Sequence, residues 1–286
     1  MKVSGFTFLR NGSILGYPFK ESILSVLPIV DEFIVALGPS EDDTEKVLKS
    51  IKSDKLKIIH TQWNEKMTDR GYVYGQQKMI AQFNCTGDWA FYLEADEVVH
   101  ENDLDKIYNS MKKYKDNNEV EALVFDYIHF YGNKNTYLDS PGWYRQEARI
   151  IKNSIRSIAP DGLFWVVLEN NRKGRYPYAA HTGAKIYHYG WVRNEEQMNL
   201  KMQKVSKYWK HSYNKIDYTQ IDKTILKEFK GTHPRVIVDW LPEAEGIFKA
   251  DENHILTKKE KRHRLKKNIE KIFNMDLSKK HFKLIK

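Results

Sequence analysis

The chain of 286 residues contains a single cysteine, Cys85. One thiol excludes an intrachain disulfide and any four-cysteine zinc site, and it suits a small buried hydrophobe in a reducing compartment. No apolar run approaches the roughly 18 residues that would cross a bilayer. The opening MKVSGFTFLRNG is too short and polar for a secretory signal, so the expectation is a cytoplasmic protein. Internal repeats and long low-complexity linkers are absent as well. Acid is scarce at the far end: from Asp251 to Lys286 there are 12 Lys/Arg against 5 Asp/Glu, a net of +7 out of the total +9. The first 250 residues are therefore close to neutral, and the basic character says little about what the body binds.

What is present is an alternation. VSGFTFL (3–9), FIVAL (33–37), KLKIIHTQW (55–63) and WAFYL (89–93) read as strands. Between them, Phe19–Leu27, Thr44–Ile51 and Tyr74–Phe83 have helical spacing. Short aromatic and β-branched runs alternating with helices predict βαβ units and a parallel sheet. An apolar content of 41% supports a packed core.

The fourth strand ends in FYLEADEVVH (91–100), with Glu94, Asp96 and Glu97 within four residues. Like charges so close repel, and an unpaired buried carboxylate is costly. Two readings follow from the spacing. The acids belong to a solvated turn, with Glu97 and Glu101 starting the next helix. Alternatively, they face the cleft beyond the carboxyl ends of the strands, where open α/β sheets bind ligands, and hold a cation.

After residue 120 the pattern changes. ALVFDYIHFYG (122–132), ARIIKN (148–153) and KIYHYGWV (185–192) read as strands, a helix runs from Asn194 to about His211, and 229–243 looks irregular or strand-like. Residues 258–273 are helical, with eight Lys/Arg, two Glu, and Leu265, Ile269, Ile272 and Phe273 on one face. That helix suits either an interfacial helix on anionic lipid or a helix packing its apolar stripe on the body.

Three segments in order, VDEFIVALGPSEDDT (30–44), GDWAFYLEADE (87–97) and IYHYGWVR (186–193), resemble the family 2 glycosyltransferases of bacterial cell-surface glycan synthesis, which have the GT-A fold. The resemblance implies an α/β GT-A domain over 1–215, a Rossmann-like, mostly parallel sheet flanked by helices. A C-terminal extension, 216–286, would end in the basic amphipathic helix. Glu94-Ala95-Asp96 stands where that family has its DxD motif. Asp96 is then the ligand of a divalent metal, Mn²⁺ or Mg²⁺, that carries the diphosphate of a nucleotide sugar. Glu94 takes the ribose-side position, and His188 completes the metal shell. Thr7, Leu9 and Arg10 line the donor pocket. The family's base-recognising aspartate at the end of the second strand is missing; Leu37-Gly38-Pro39 stands there, and Asp42 or Asp43 substitutes only if the turn folds back.

An inverting transfer needs a base opposite the metal. Asp161, in IAPDGLFW, is the first candidate and Glu147, in YRQEARI, the second; a Pro-Asp-Gly turn is the structural alternative for Asp161. Arg145, Lys185 and Arg193 are candidate phosphate partners. The expected partners are a nucleotide-sugar donor, a glycan or lipid-linked acceptor, and the inner face of the plasma membrane. Two other functions compete. A nucleic-acid-binding protein would use the tail with Tyr208, Trp209 and Tyr213, but the body is nearly neutral and carries no such motif. A nucleotidyltransferase needs an early basic Gly-rich loop, of which Arg10-Asn11-Gly12-Ser13 is a poor version.

Overall fold

A computed structural model of the chain describes residues 1–170, 173–210 and 214–285. His211 and Tyr213 therefore lie outside the described residues. In order, the first half contains β1 (Val3–Leu9), α1 (Phe19–Val26), β2 (Glu32–Leu37), α2 (Thr44–Lys49), β3 (Leu56–His60), α3 (Tyr72–Phe83) and β4 (Trp89–Tyr92). These strands pair in parallel in the order β3-β2-β1-β4. The period-2 pattern divides their side chains between two faces. Val3, Leu9, Phe33, Val35, Leu37, Trp89 and Phe91 pack with Phe19, Ile23 and Val26 of α1 and Leu48 of α2. Phe6, Ile34, Ala36, Ala90 and Tyr92 pack with Met79 and Ala81 of α3. Both faces are covered, which is why these strands are nearly continuous apolar runs.

The second half is mixed in direction. It contains β5 (Glu97–Val99), α4 (Leu104–Tyr114), β6 (Ala122–Tyr131), β7 (Asn133–Leu138), β8 (Gln146–Lys152), a small sheet of β9 (Ser157–Ile158), β10 (Val166–Asn170) and β11 (Lys173–Arg175), then the long β12 (Tyr178–Trp191) and α5 (Glu195–Ser206). β8 joins β4 and β6 antiparallel, whereas β12 runs parallel to β6 and antiparallel to β5. Residues 97–99 are thus a strand rather than the expected helix start, and α4 begins only at Leu104. α5 stops at Ser206, and a single 3₁₀ turn, Lys207–Trp209, follows.

The chain beyond 216 is woven into the same sheet. β13 (Leu226–Glu228) pairs with β7, and β14 (Lys283–Leu284) pairs with β12. The segment 229–243 is irregular apart from the 3₁₀ turn Arg235–Ile237. α6 (Lys258–Phe273) starts with a capping box between Thr257 and Glu260. It docks through its polar side: Arg264 Nε reaches Asp222 Oδ2 at 2.6 Å, Lys267 Nζ reaches Asp139 Oδ2 at 2.9 Å, and Arg145 grips both oxygens of Glu270. Of the two readings of this helix, the one in which the apolar stripe packs on the body is not observed. These fixed ion pairs turn Leu265, Ile272 and Phe273 outward.

Candidate active site

A cleft of about 720 Å³ opens beyond the carboxyl ends of β1 and β4. Leu9, Arg10, Glu94, Ala95, Asp96 and Asp161 line it. Thr7 does not; its buried hydroxyl donates to the Leu93 carbonyl at 2.7 Å and ties the two strand ends together. Asp43 is also elsewhere. It stands exposed at the N-terminus of α2 without a side-chain capping bond, while Asp42 accepts from the backbone amides of Ile14 and Thr44. The turn therefore does not fold back, and Glu41 reaches the cleft instead.

Asp96 is 2% exposed. Its Oδ2 accepts from Arg193 Nη2 at 2.8 Å and faces Lys201 Nζ at 3.4 Å; its Oδ1 lies 3.6 Å from His188 Nε2. Burial would raise this carboxyl, but Lys201, His188 and Arg193 override it and hold the group well below the usual carboxylate range. The backbone makes room at this point. A Cβ on Gly190 would sit 2.7 Å from His188 Nε2 and 3.1 Å from Asp96 Oδ2.

The histidine is oriented by a second one that the sequence did not single out. His129 Nε2 lies 2.7 Å from the Tyr144 carbonyl, and its Nδ1 lies 2.9 Å from His188 Nδ1. Burial and the neighbouring His188 push His129 down to about 3, so the ring is neutral. A carbonyl only accepts, so Nε2 of His129 holds the proton and Nδ1 is bare. His188 Nδ1 must then donate to it, which fixes the ring with Nε2 turned toward Asp96. Nε2 of His188 and Oδ1 of Asp96 lie 3.6 Å apart, and with Nε2 unprotonated a divalent ion with ligand distances of about 2.1 Å would fit between them. Among the described residues no cluster of three His, Cys, Asp or Glu closes on one point, so Asp96 and His188 are the two that could hold such an ion.

Glu97 is fully buried, which rules out the solvated-turn reading for it. Arg149 of β8 forks onto it, Nε to Oε2 at 2.8 Å and Nη2 to Oε1 at 2.7 Å, and Nη2 also reaches Glu94 Oε1 at 2.9 Å. Burial beside Glu97 raises the Glu94 carboxyl, and Arg149 opposes that rise. The same guanidinium donates to the Leu163 carbonyl at 2.9 Å. Lys78 Nζ points at the carbonyls of Gly162 and Leu163, 3.4 and 3.2 Å away. One turn earlier in α3, Gly75 lets the loop approach; a Cβ there would meet the Ala159 carbonyl at 2.3 Å. Thus two buried cations and one glycine fix the loop that carries Asp161 into the cleft. Asp161 Oδ1 accepts from the Leu163 amide at 2.7 Å, so the turn role coexists with the cleft position. Glu147 lines no part of the cleft. It is fully buried on β8 and bonded to His281. Arg145 is consumed by α6, Lys185 is exposed away from the cleft, and Arg193 is on Asp96.

The far end of the cleft is aromatic. Phe8, Trp63, Tyr74, Tyr208 and Trp209 contact one another with ring centroids 5.3–6.3 Å apart, and the Arg10 guanidinium lies 5.3 Å from the Trp63 ring. Trp63 packs against Gly38, just beyond the end of β2. A Cβ on Gly38 would lie 2.3 Å from its Nε1, and that buried donor has no hydrogen-bond partner among the described residues. α5 and the following turn form a wall. Lys201, Lys204 and Lys207, three residues apart, reach Asp96, Glu41 and Glu65 on the loops after β4, β2 and β3.

The sequence model of glycosyl transferase family 2 matches residues 18–164, just over half of the chain, and the chain belongs to that family. With the acidic motif at the end of β4 in an α/β sheet flanked by helices, the fold class is GT-A. An uncharacterized glycosyltransferase of Rickettsia typhi is 25% identical over 167 residues, 57% of this chain and 52% of its own length. The chain thus spans about half the length of the curated relative it matches. Among solved structures, TarS of S. aureus aligns over 72% of this chain and 39% of its own at 14% identity and a TM-score of 0.39. Glucosyl-3-phosphoglycerate synthase from Mycobacterium tuberculosis, solved with Mn²⁺, UDP and phosphoglyceric acid, aligns over 44% of this chain and 43% of its own at 16% identity and a TM-score of 0.33.

Proposed function

We propose that the protein transfers a sugar from a nucleoside-diphosphate sugar to an acceptor hydroxyl, with inversion, using Mn²⁺ or Mg²⁺ held by Asp96 and His188. The observation that carries this reading is the approach of His188 Nε2 to within 3.6 Å of Asp96 Oδ1, a buried strand-end carboxylate that lines a large cleft. Family membership supports the donor chemistry. A bound divalent ion supplies stabilisation of the charge that grows on the departing diphosphate. His129 is a positioning residue for His188. The nucleobase stacks at the aromatic end; Arg10 lies beside it, and Leu9 and Ala95 line the path. Glu94 faces the ribose. Lys201, Lys204 and Lys207 exchange their carboxylates for phosphate oxygens. Asp161 takes the proton of the attacking hydroxyl. The acceptor belongs to a cell-surface glycan or lipid-linked precursor, and the enzyme works at the cytoplasmic face of the membrane.

The test is release of nucleoside diphosphate from a panel of nucleotide sugars with Mn²⁺. Asp96→Asn should remove activity and metal dependence together. Asp161→Asn should lower turnover by about 10²–10⁴-fold without weakening donor binding, the range for loss of a general base. Full turnover in either variant would contradict the role given to that residue.

A further inference from the structure

α6 presents to solvent the side that a docked helix normally hides. Leu265, Ile272 and Phe273 are 60%, 74% and 65% exposed, and Met275 beyond the cap is 48% exposed. At 100° per residue, Leu265, Ile269 and Ile272 fall on one stripe with Phe273 at its margin. The opposite side is already used, since Arg264, Lys267 and Glu270 hold the ion pairs to Asp222, Asp139 and Arg145. Stripe and body therefore do not compete for the same contact.

The flanks of the stripe are cationic and unpaired. Lys261, Arg262 and Lys266 border it, Lys258 lies within it, and none of the four makes an ion pair among the described residues. An exposed apolar stripe bordered by basic residues is the pattern that lies in the headgroup region of an anionic bilayer, with the apolar groups inserted and the cations among the phosphates. The charge also argues against the stripe closing on a second copy. A twofold contact through it would bring two sets of unpaired cations together with no acid between them.

We infer that the outward face of α6 is a docking surface for anionic lipid. Its attachment gives the docking a consequence. Arg145, which grips Glu270, follows directly on Tyr144, whose carbonyl holds His129. A lipid-bound α6 would thus be fixed to the loop that orients the candidate metal ligand. The inference does not need sugar transfer to be correct, because it concerns only where the chain sits.

The experiment is co-sedimentation of the full chain with vesicles of phosphatidylcholine alone or with about a quarter phosphatidylglycerol. Binding should be confined to the anionic vesicles and weaken as salt rises. Replacing Leu265, Ile272 and Phe273 by Gln should lower the bound fraction at least about tenfold, and so should replacing Lys258, Lys261, Arg262 and Lys266 by Gln. Because none of these side chains pairs with the body and all but the half-buried Lys266 are exposed, the melting temperature should move by less than about 2 °C. Binding that ignores lipid charge, or that survives the apolar substitutions, would overturn the inference. So would a dimer of the parent chain that those substitutions convert to a monomer, since the face would then be a contact between copies.

Discussion

Arg149 is wholly buried and serves four acceptors at once: Glu97, Glu94 and the carbonyls of Leu163 and Ala148. Burying an ion pair gains little, but breaking one leaves an uncompensated charge in the interior. Arg149→Met removes the only guanidinium on two neighbouring carboxylates among the described residues. We expect a loss of about 3–5 kcal/mol in stability, read by urea unfolding. A change below about 1 kcal/mol would mean that the acids find another partner or become protonated without cost. This residue was illegible in the sequence. ARIIKN reads as an apolar strand, and nothing local ties Arg149 to an acid 52 residues earlier. His129 was hidden for the same reason, in a strand of aromatics 59 residues from the histidine it orients. The strand-end acids were legible, because an apolar run that stops abruptly at Glu94 is a local signal. Their division of labour was not, since it depends on which acid Arg149 takes.

At the scale of elements, α5 is the wall of the cleft, and Glu65 links it to β1 and to the loop after β3. Lys207, Arg10 and Tyr208 all converge on this carboxylate. Lys207, against the opposing effect of burial, and then Arg10 and Tyr208 hold it down to about 2. A carboxyl lowered on folding stabilises the folded form fully above its ordinary value of 4.5, and that contribution is lost as the pH falls toward 2. Near neutrality only substitution breaks the link. Glu65→Gln should therefore loosen the end of α5 at neutral pH, seen as several-fold faster tryptic cleavage after Lys204 and Lys207 with the melting temperature nearly unchanged. Equal cleavage rates in parent and variant would show that Tyr208 and Trp209, packed against Tyr74, hold the wall without it. Elements were the most legible scale: β1, the start of α3's apolar face and α6 follow from period and caps. The direction in which α6 faces did not. Periodicity marks an apolar stripe, but the ion pairs to Asp222 and Asp139 decide which side docks, and those partners lie far away in sequence.

Over the whole molecule, the parallel half of the sheet provides one rim of the cleft and the loop carrying Asp161 the other, with α5 closing the side. The account stands or falls on whether a nucleotide sugar and a divalent ion enter that cleft together through Asp96. The most direct measurement is thermal unfolding of the parent chain and of Asp96→Asn with a panel of nucleotide sugars, each with Mn²⁺ or with a chelator. A ligand at about 100 times its dissociation constant stabilises the fold by roughly 2.7 kcal/mol, a readily measured shift. The account predicts that at least one nucleotide sugar raises the melting temperature of the parent with Mn²⁺, that the chelator abolishes the shift, and that Asp96→Asn shows none. A shift that persists in the chelator and in the variant, or no shift with any nucleotide sugar, would contradict it.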